Sequence, residues 1–428
     1  MTTASGSAPA PNFDPSTHAR HARRITRALF AVQSLGSAGS IGVATVAAIV
    51  GAELSGNASL AGAPAATYQV GVACAALLWG TVSDRIGRRP ALTTGLLTGV
   101  VGSVAAIAAV VAGSFGLLLL GLVVMGSGTA SVQLGRFAAA EVNPTARRAR
   151  AVASVVLGGT VGSVLGPSLV APLGRLADGF GWDALAGPYI GVLVAYLIAA
   201  LVVTIALRPD PKTLGEALGR EAGGPIAPTR ARPFRAILRD PTVLTAIVTL
   251  VLAQGVMVGL MQMTSLHMRE HAHTLAGISL VFSSHTFGMF AFSVVSGRLA
   301  DRFGRPPVMV FGALIMIVSC LGAPLSPQIV PLAAALFGLG IGWNLCYVSG
   351  SALLSDALTP AEKGRIQGFN DLLVGGSAAS GSLFGGMLFA AAGYGAMGVV
   401  GAILTAPILV VLVWHTRVRP ARTSSRTH

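Results

Sequence analysis

The sequence predicts an all-α membrane protein whose twelve transmembrane helices form two pseudo-symmetric six-helix bundles. Three observations carry that prediction. The chain is 53% hydrophobic and only 10% charged, with a mean hydropathy of +0.74, whereas soluble domains carry about a quarter charged residues. Its apolar residues gather into twelve stretches, each near the ~20 residues that cross the hydrocarbon core of a bilayer. Finally, GTVSDRIGRRP (Gly80 to Pro90) returns 217 positions later as GRLADRFGRPP (Gly297 to Pro307). Such an echo is expected of transport folds assembled from two parallel repeats.

The elements follow in order. Residues 1–27 are rich in Ala, Ser and Pro with scattered His and Arg. They lack the order of charge, apolar run and cleavage site that marks a signal peptide, and are expected to be a cytoplasmic tail. The first half, 28–207, holds spans at 28–51, 61–82, 91–112, 115–136, 151–173 and 187–207. Five prolines and many charges between Arg208 and Asp240 mark a central cytoplasmic loop over 208–240, partly helical near Thr213 to Glu221. The second half, 241–415, holds spans at 241–265, 275–296, 307–324, 330–355, 366–391 and 396–415, before a short tail, 416–428.

Charge supports this topology independently of hydropathy. When loops are assigned to alternate sides, every Lys and Arg except Arg175 and Arg269 falls on one side. The positive-inside rule makes that side the cytoplasm, so both termini are expected there, in a cell inner (plasma) membrane. The net charge of +14 is thereby explained by position, and nucleic acid is not an expected partner. Cys74, Cys320 and Cys346 all lie within spans without Cys-x2-Cys spacing, which implies no disulfide framework. There is no phosphate-binding Gly-x4-Gly-Lys-Ser/Thr loop and no nucleophile–base set. The chain is not expected to be an enzyme, to use a cofactor or to be driven by ATP. A monomer is expected.

The repeated loop contains Gly80, Asp84, Arg85, Gly87 and Arg88 in one copy and Gly297, Asp301, Arg302, Gly304 and Arg305 in the other. Gly suits the tight turn, and Asp and Arg can pair. These loops resemble the signature of the major facilitator superfamily between its second and third helices, with a weaker copy between the eighth and ninth. The resemblance covers nearly the whole chain and implies alternating access, with the loop stapling the halves together when the transporter faces outward. Glu141-x2-Pro144-x3-Arg148 is similar to the acidic/Pro/Arg loop after the family's fourth helix, and Arg148 is mirrored by Arg365. Gly162-x3-Gly166-Pro167 resembles the antiporter motif, though Val170 and Ala171 replace its trailing glycines. Leu122 stands where the family commonly has an arginine.

Five of eleven methionines fall between 257 and 289. Met257-x3-Met261 on the seventh span and His285-x3-Met289 on the eighth each put two side chains on one helix face. Thioether and imidazole are soft or borderline ligands that favour Cu(I). Met257 and His285 are expected at similar depth, with Gln254 and Thr264 on the same face of the seventh helix. Met-x3-Met followed by His-x3-Met, within HMREHAHTLAGISLVFSSHTFGMFAFS (His267 to Ser293), also resembles the CcoA-like copper importers of the superfamily. That branch includes riboflavin importers as well. The resemblance implies that Met257, Met261, His285 and Met289 handle copper. Ordinary apolar packing is the alternative reading of the same residues.

The substrate reading therefore stays open among copper, riboflavin or another small organic solute, and amphipathic compounds for export. A non-transporting sensor or assembly factor remains the rival class. For an organic ligand, Trp343, Asn344, Tyr347 and Asn370 offer stacking and hydrogen bonds. His267, His271 and His273 form a further external candidate for metal capture. Asp371, early in the eleventh span, is expected to pair with loop arginines.

Overall fold

A computed structural model describes residues 15–221 and 232–418. The expected tails up to residue 14 and from 419 onward, and loop positions 222–231, lie outside the described residues. The described chain is helical in the order α1 (Pro15–Ser55), α2 (Ala63–Ile86), α3 (Arg88–Val111), α4 (Phe115–Glu141), α5 (Thr145–Gly179) and α6 (Gly187–Ala206). The connector forms α7 (Pro211–Glu221) and α8 (Phe234–Leu238). Then come α9 (Pro241–Glu270), α10 (Leu275–Phe290), α11 (Ser293–Phe303), α12 (Arg305–Gly322), α13 (Ile329–Asp356) and α14 (Pro360–Val418).

Eleven stretches among the described residues are long and apolar enough to cross a membrane. The last, Glu362–His415, has 54 residues, about 80 Å as one straight helix against a ~30 Å core. It is two crossings. Gly393 leaves the helical region at φ 74° and ψ 179°, and the chain turns back there. The first segment of α14 runs beside α9 in parallel, with Gly381 close to Gly255 and Gly385 close to Gly259. The second runs antiparallel to α9, with Tyr394 hydrogen-bonded to Thr264 and His415 to Thr242. α10 and α11 together make one crossing, broken at Ala291 and Phe292. Twelve crossings result.

α1 begins at Pro15, well before the expected first span. Ala22 and Ile25 are buried, and the His18 ring hydrogen-bonds the Val142 carbonyl at 3.1 Å. Packing against the α4–α5 connection thus extends the helix beyond its apolar run. Within each half, backbones approach closely at small residues, such as Gly99 against Gly128 and Gly162 against Ser34. Lipid offers no hydrophobic drive between helices, so such close dispersion contacts must hold them. Large apolar side chains, among them Leu77, Leu120, Leu201, Phe311, Val318 and Val410, point outward from the bundle, as a bilayer requires.

The ends of the described chain, the connector and both loop motifs share one end of the bundle. Arg24 reaches the Ala206 and Arg208 carbonyls, and Lys212 reaches the Asp84 carbonyl. At the opposite, far end the two halves touch. Glu53 of α1 pairs with Arg269 of α9 at 3.1 Å, and the Ser382 hydroxyl donates to the Gly62 carbonyl at 3.0 Å. A Cβ at Gly62 would lie 1.8 Å from the Ser382 carbonyl oxygen, so only glycine permits this approach. Toward the loop-motif end the surroundings are more open: a Cβ added at Gly80, Gly297, Gly364, Gly368, Gly375 or Gly376 meets nothing within 4 Å.

Candidate functional site: a cleft between the halves

The loop residues form two matching charge clusters. In the first, Arg88 bonds Asp84 at 2.8 Å and clasps Glu141 through both its Nη2 and Nε, at 2.5 and 2.9 Å. In the second, Arg305 bonds Asp301 at 2.5 Å and Asp356 at 3.5 Å. Gly87 and Gly304 take φ of 97° and 88°, the left-handed region in which a side chain would strain the turn. Asp210 accepts from the Arg88 and Arg89 amides at 3.1 and 2.9 Å, which satisfies orphan donors at the start of α3. Sequence reading missed Asp210, although its place beside Pro211 at a helix start was a usable signal. Asp84 and Asp301 keep about 70% of their side-chain surface exposed; each carboxylate pairs with an arginine of its own half, and the Asp84 carbonyl accepts from Lys212 of the connector. Arg302 lies over the Phe303 ring, and Arg85 is exposed at the end of α2.

The cleft on this side contains groups that sequence reading brought together only in part. Trp343 stacks on Tyr347 with ring centroids 4.6 Å apart and planes 19° apart. The indole Nε1 donates to Gln254 Oε1 at 3.0 Å, which fixes the ring plane. Phe290 meets Trp343 edge-on, with ring centroids 6.2 Å apart. Arg136 of α4 pairs with Asp371 of α14 at 3.4 Å, and the Tyr347 hydroxyl lies within electrostatic reach of both. Arg136, the last residue of the expected fourth span, stands on the last turns of α4, which continues to Glu141. Asp371 does pair with an arginine, but one from the opposite half.

The four Met/His residues are all buried: Met257, Met261 and Met289 expose at most 6%, and His285 none. α13 packs against both α9 and α10, which meet one another only marginally. His285 Nδ1 lies 2.7 Å from the Leu336 carbonyl. A carbonyl only accepts, so Nδ1 carries the proton and Nε2 presents a bare lone pair. That Nε2 is buried without a hydrogen-bond partner. Asn344 is placed differently from the expectation of a ligand-binding group. Its amide donates to the Met289 carbonyl and the Ser293 hydroxyl and accepts from Ser296, so it holds together the break between α10 and α11. Asn370 is buried with Oδ1 unpartnered.

At the far end, His267 stacks on Tyr394 at 4.3 Å and touches His271, while His273 bonds the Pro327 carbonyl. No group of three or more His, Cys, Asp or Glu side chains with metal-holding geometry occurs among the described residues. A crevice of about 320 Å³ lies beside the first loop motif, lined by Gly80, Asp84, Arg88, Phe137 and Glu141 among others.

The profile of the Major Facilitator Superfamily matches residues 29–274 and 263–428. The uncharacterized MFS-type transporter YdeG of Bacillus subtilis is 36% identical over 378 residues, 86% of each chain. The riboflavin transporter RfnT of Brucella anthropi is 29% identical over 369 residues, 85% of this chain and 89% of that one. Among solved structures, a bacterial homolog of the human lysosomal transporter Spinster, inward-facing and unoccupied, superposes with a TM-score of 0.67 at 17% identity, covering 96% of this chain and 100% of that one. The inward-open xylose transporter XylE of E. coli gives 0.69 at 15% identity, covering 91% and 96%. With its profile matched along nearly the whole chain and its twelve crossings in place, the chain belongs to the major facilitator superfamily.

Proposed function

We propose that this chain is a secondary importer, working by alternating access, for an uncharged, planar aromatic solute of the riboflavin kind. The observation that carries the reading is the Trp343–Tyr347 stack, held in plane by Gln254, with Trp343 6% exposed and Tyr347 half-buried. A flat heteroaromatic ring gains from offset stacking on such a pair, and Gln254 and Asn370 offer amide groups for its polar edge. Similarity to the riboflavin transporter RfnT supports the same class. The loop-motif end carries nearly all the Lys and Arg, which favours a cytoplasmic position for it and for both termini. The conformer described here is then open to the cytoplasm. Asp84 and Asp301 are available to engage the opposite half when that side closes, as the family resemblance implies. The test is labelled riboflavin uptake into cells lacking their own transporter. Wild type should accumulate it, and Trp343→Ala should lose at least tenfold in uptake at matched membrane expression. Binding without accumulation would favour a sensor, and neither binding nor uptake would remove the aromatic-solute reading.

A second reading is favoured by one observation, the bare Nε2 of His285 in an apolar interior. With Met257, Met261 and Met289 it would offer a soft path for Cu(I) as substrate. Labelled copper uptake that falls in both Met257→Ala and His285→Ala would support this path, and equal copper in all strains would remove it.

A further inference from the structure

The cleft holds a balanced pair of charges where a single charge would be expected to capture a counter-ion. Arg136 and Asp371 come from opposite halves and are 235 positions apart, yet they meet at 3.4 Å. On the loop-motif side no other ion pair among the described residues joins the halves. Both side chains are half-exposed, at 40% and 54%, so they are accessible and not sealed in a core. The Arg136 guanidinium also lies 4.9 Å over the Phe137 ring, which holds it in place, and its Nε is buried without a partner. Tyr347, stacked on Trp343, lies within electrostatic range of this pair. A largely buried, uncharged aromatic pair thus neighbours an arginine paired with an aspartate.

A guanidinium is always protonated and binds phosphate and carboxylate bidentately when free. With Asp371 ionised beside it, the local charge sums to zero, and an arriving anion must compete with a carboxylate already in place. An anion that displaced Asp371 would leave that carboxylate unpaired beside its own charge. Specificity is a difference of affinities, and the repulsive element is as informative as the attractive one.

We propose that Asp371 sets the charge selectivity of the cleft, so that by neutralising Arg136 it admits uncharged solutes and rejects their anionic, above all phosphorylated, derivatives. The solute class rests on the aromatic reading above, but the charge balance can be tested without it. Gly375 lies one helical turn beyond Asp371, and a Cβ there meets nothing within 4 Å. A cysteine at Gly375, in a Cys74→Ala background because the other two cysteines are buried, reports on the local potential. The measurement is the ratio of its modification rates by anionic and cationic methanethiosulfonate reagents. Asp371→Asn should raise the anionic-to-cationic ratio at least tenfold, and the double variant Arg136→Gln/Asp371→Asn should bring it back toward wild type. A ratio unchanged by Asp371→Asn overturns the proposal. In parallel, binding of riboflavin and of riboflavin 5′-phosphate to purified protein is followed by flavin fluorescence. Wild type should prefer the neutral flavin and Asp371→Asn should lose or reverse the preference; wild type that binds both equally overturns the proposal. If the reagent ratio moves as expected while wild type binds neither flavin, the charge balance stands and the aromatic reading falls.

Discussion

Replacing Gly62 by alanine should drive the protein out of the conformer described here. Gly62 has ordinary helical dihedrals, φ −80° and ψ −13°, so alanine strains nothing within its own chain segment. The conflict is across the halves. The new Cβ would sit 1.8 Å from the Ser382 carbonyl oxygen, more than 1 Å inside the 3.0 Å that real Cβ atoms keep. Neither partner is a flexible side chain, so α2 and α14 must separate at the far end. Overpacking of this kind costs ~1–3 kcal/mol. The separation also breaks the bond from Ser382 to the Gly62 carbonyl, a further ~1 kcal/mol. A cost of roughly 2–4 kcal/mol confined to one conformer moves its equilibrium with the opposite one by roughly 30- to 1,000-fold. Spin labels on cysteines replacing Leu60 and Glu270, both exposed at the far end, would report this by pulsed dipolar spectroscopy in a Cys74→Ala background. Gly62→Ala should lengthen the dominant distance by several ångströms. Gly368→Ala, whose Cβ has open space, should leave that distance in place. An unchanged distribution in Gly62→Ala would refute the claim that this contact holds the far end shut.

Three other substitutions probe distinct contacts. Glu53→Gln breaks the far-end ion pair, but both partners are well exposed, so it should cost under ~1 kcal/mol and shift the same label distance far less than Gly62→Ala does. Asp210→Ala uncaps the Arg88 and Arg89 amides and should cost about 1 kcal/mol, read as a lower midpoint in thermal unfolding of the detergent-solubilised protein. Asn344→Leu removes the amide that the Met289 carbonyl and the Ser296 hydroxyl bond, while the Ser293 hydroxyl keeps its bond to the Phe290 carbonyl. It should cost about 2–3 kcal/mol by the same assay; an unchanged midpoint would mean that the α10–α11 break does not depend on Asn344.

The crossings, the central connector and the repeated loop were legible in the chain because hydropathy and loop charge are local properties. Twenty apolar residues demand a helix in lipid whatever their neighbours do. The echo of Asp84 and Arg88 in Asp301 and Arg305 pointed to pairing within each loop, and in both copies the pair closes across the turn made by Gly87 or Gly304. Their outer partners, Glu141 and Asp356, were visible only as loop-end acids, because nothing in the sequence says which guanidinium a distant carboxylate will meet.

What only the tertiary structure decided is every contact between helices. Asn344 reads as a ligand-binding amide until α13 is laid against the break after Phe290. His285 reads as a metal ligand or a hydrogen-bonding group alike, and only the Leu336 carbonyl fixes which nitrogen is left bare. Arg136 and Asp371 each look like boundary charges, and the meeting of the two halves makes them a pair. Sequence sets which segments enter the bilayer because transfer from water is a property of the segment. Packing sets the site because a pairing between residues hundreds of positions apart exists only once both halves have folded and met.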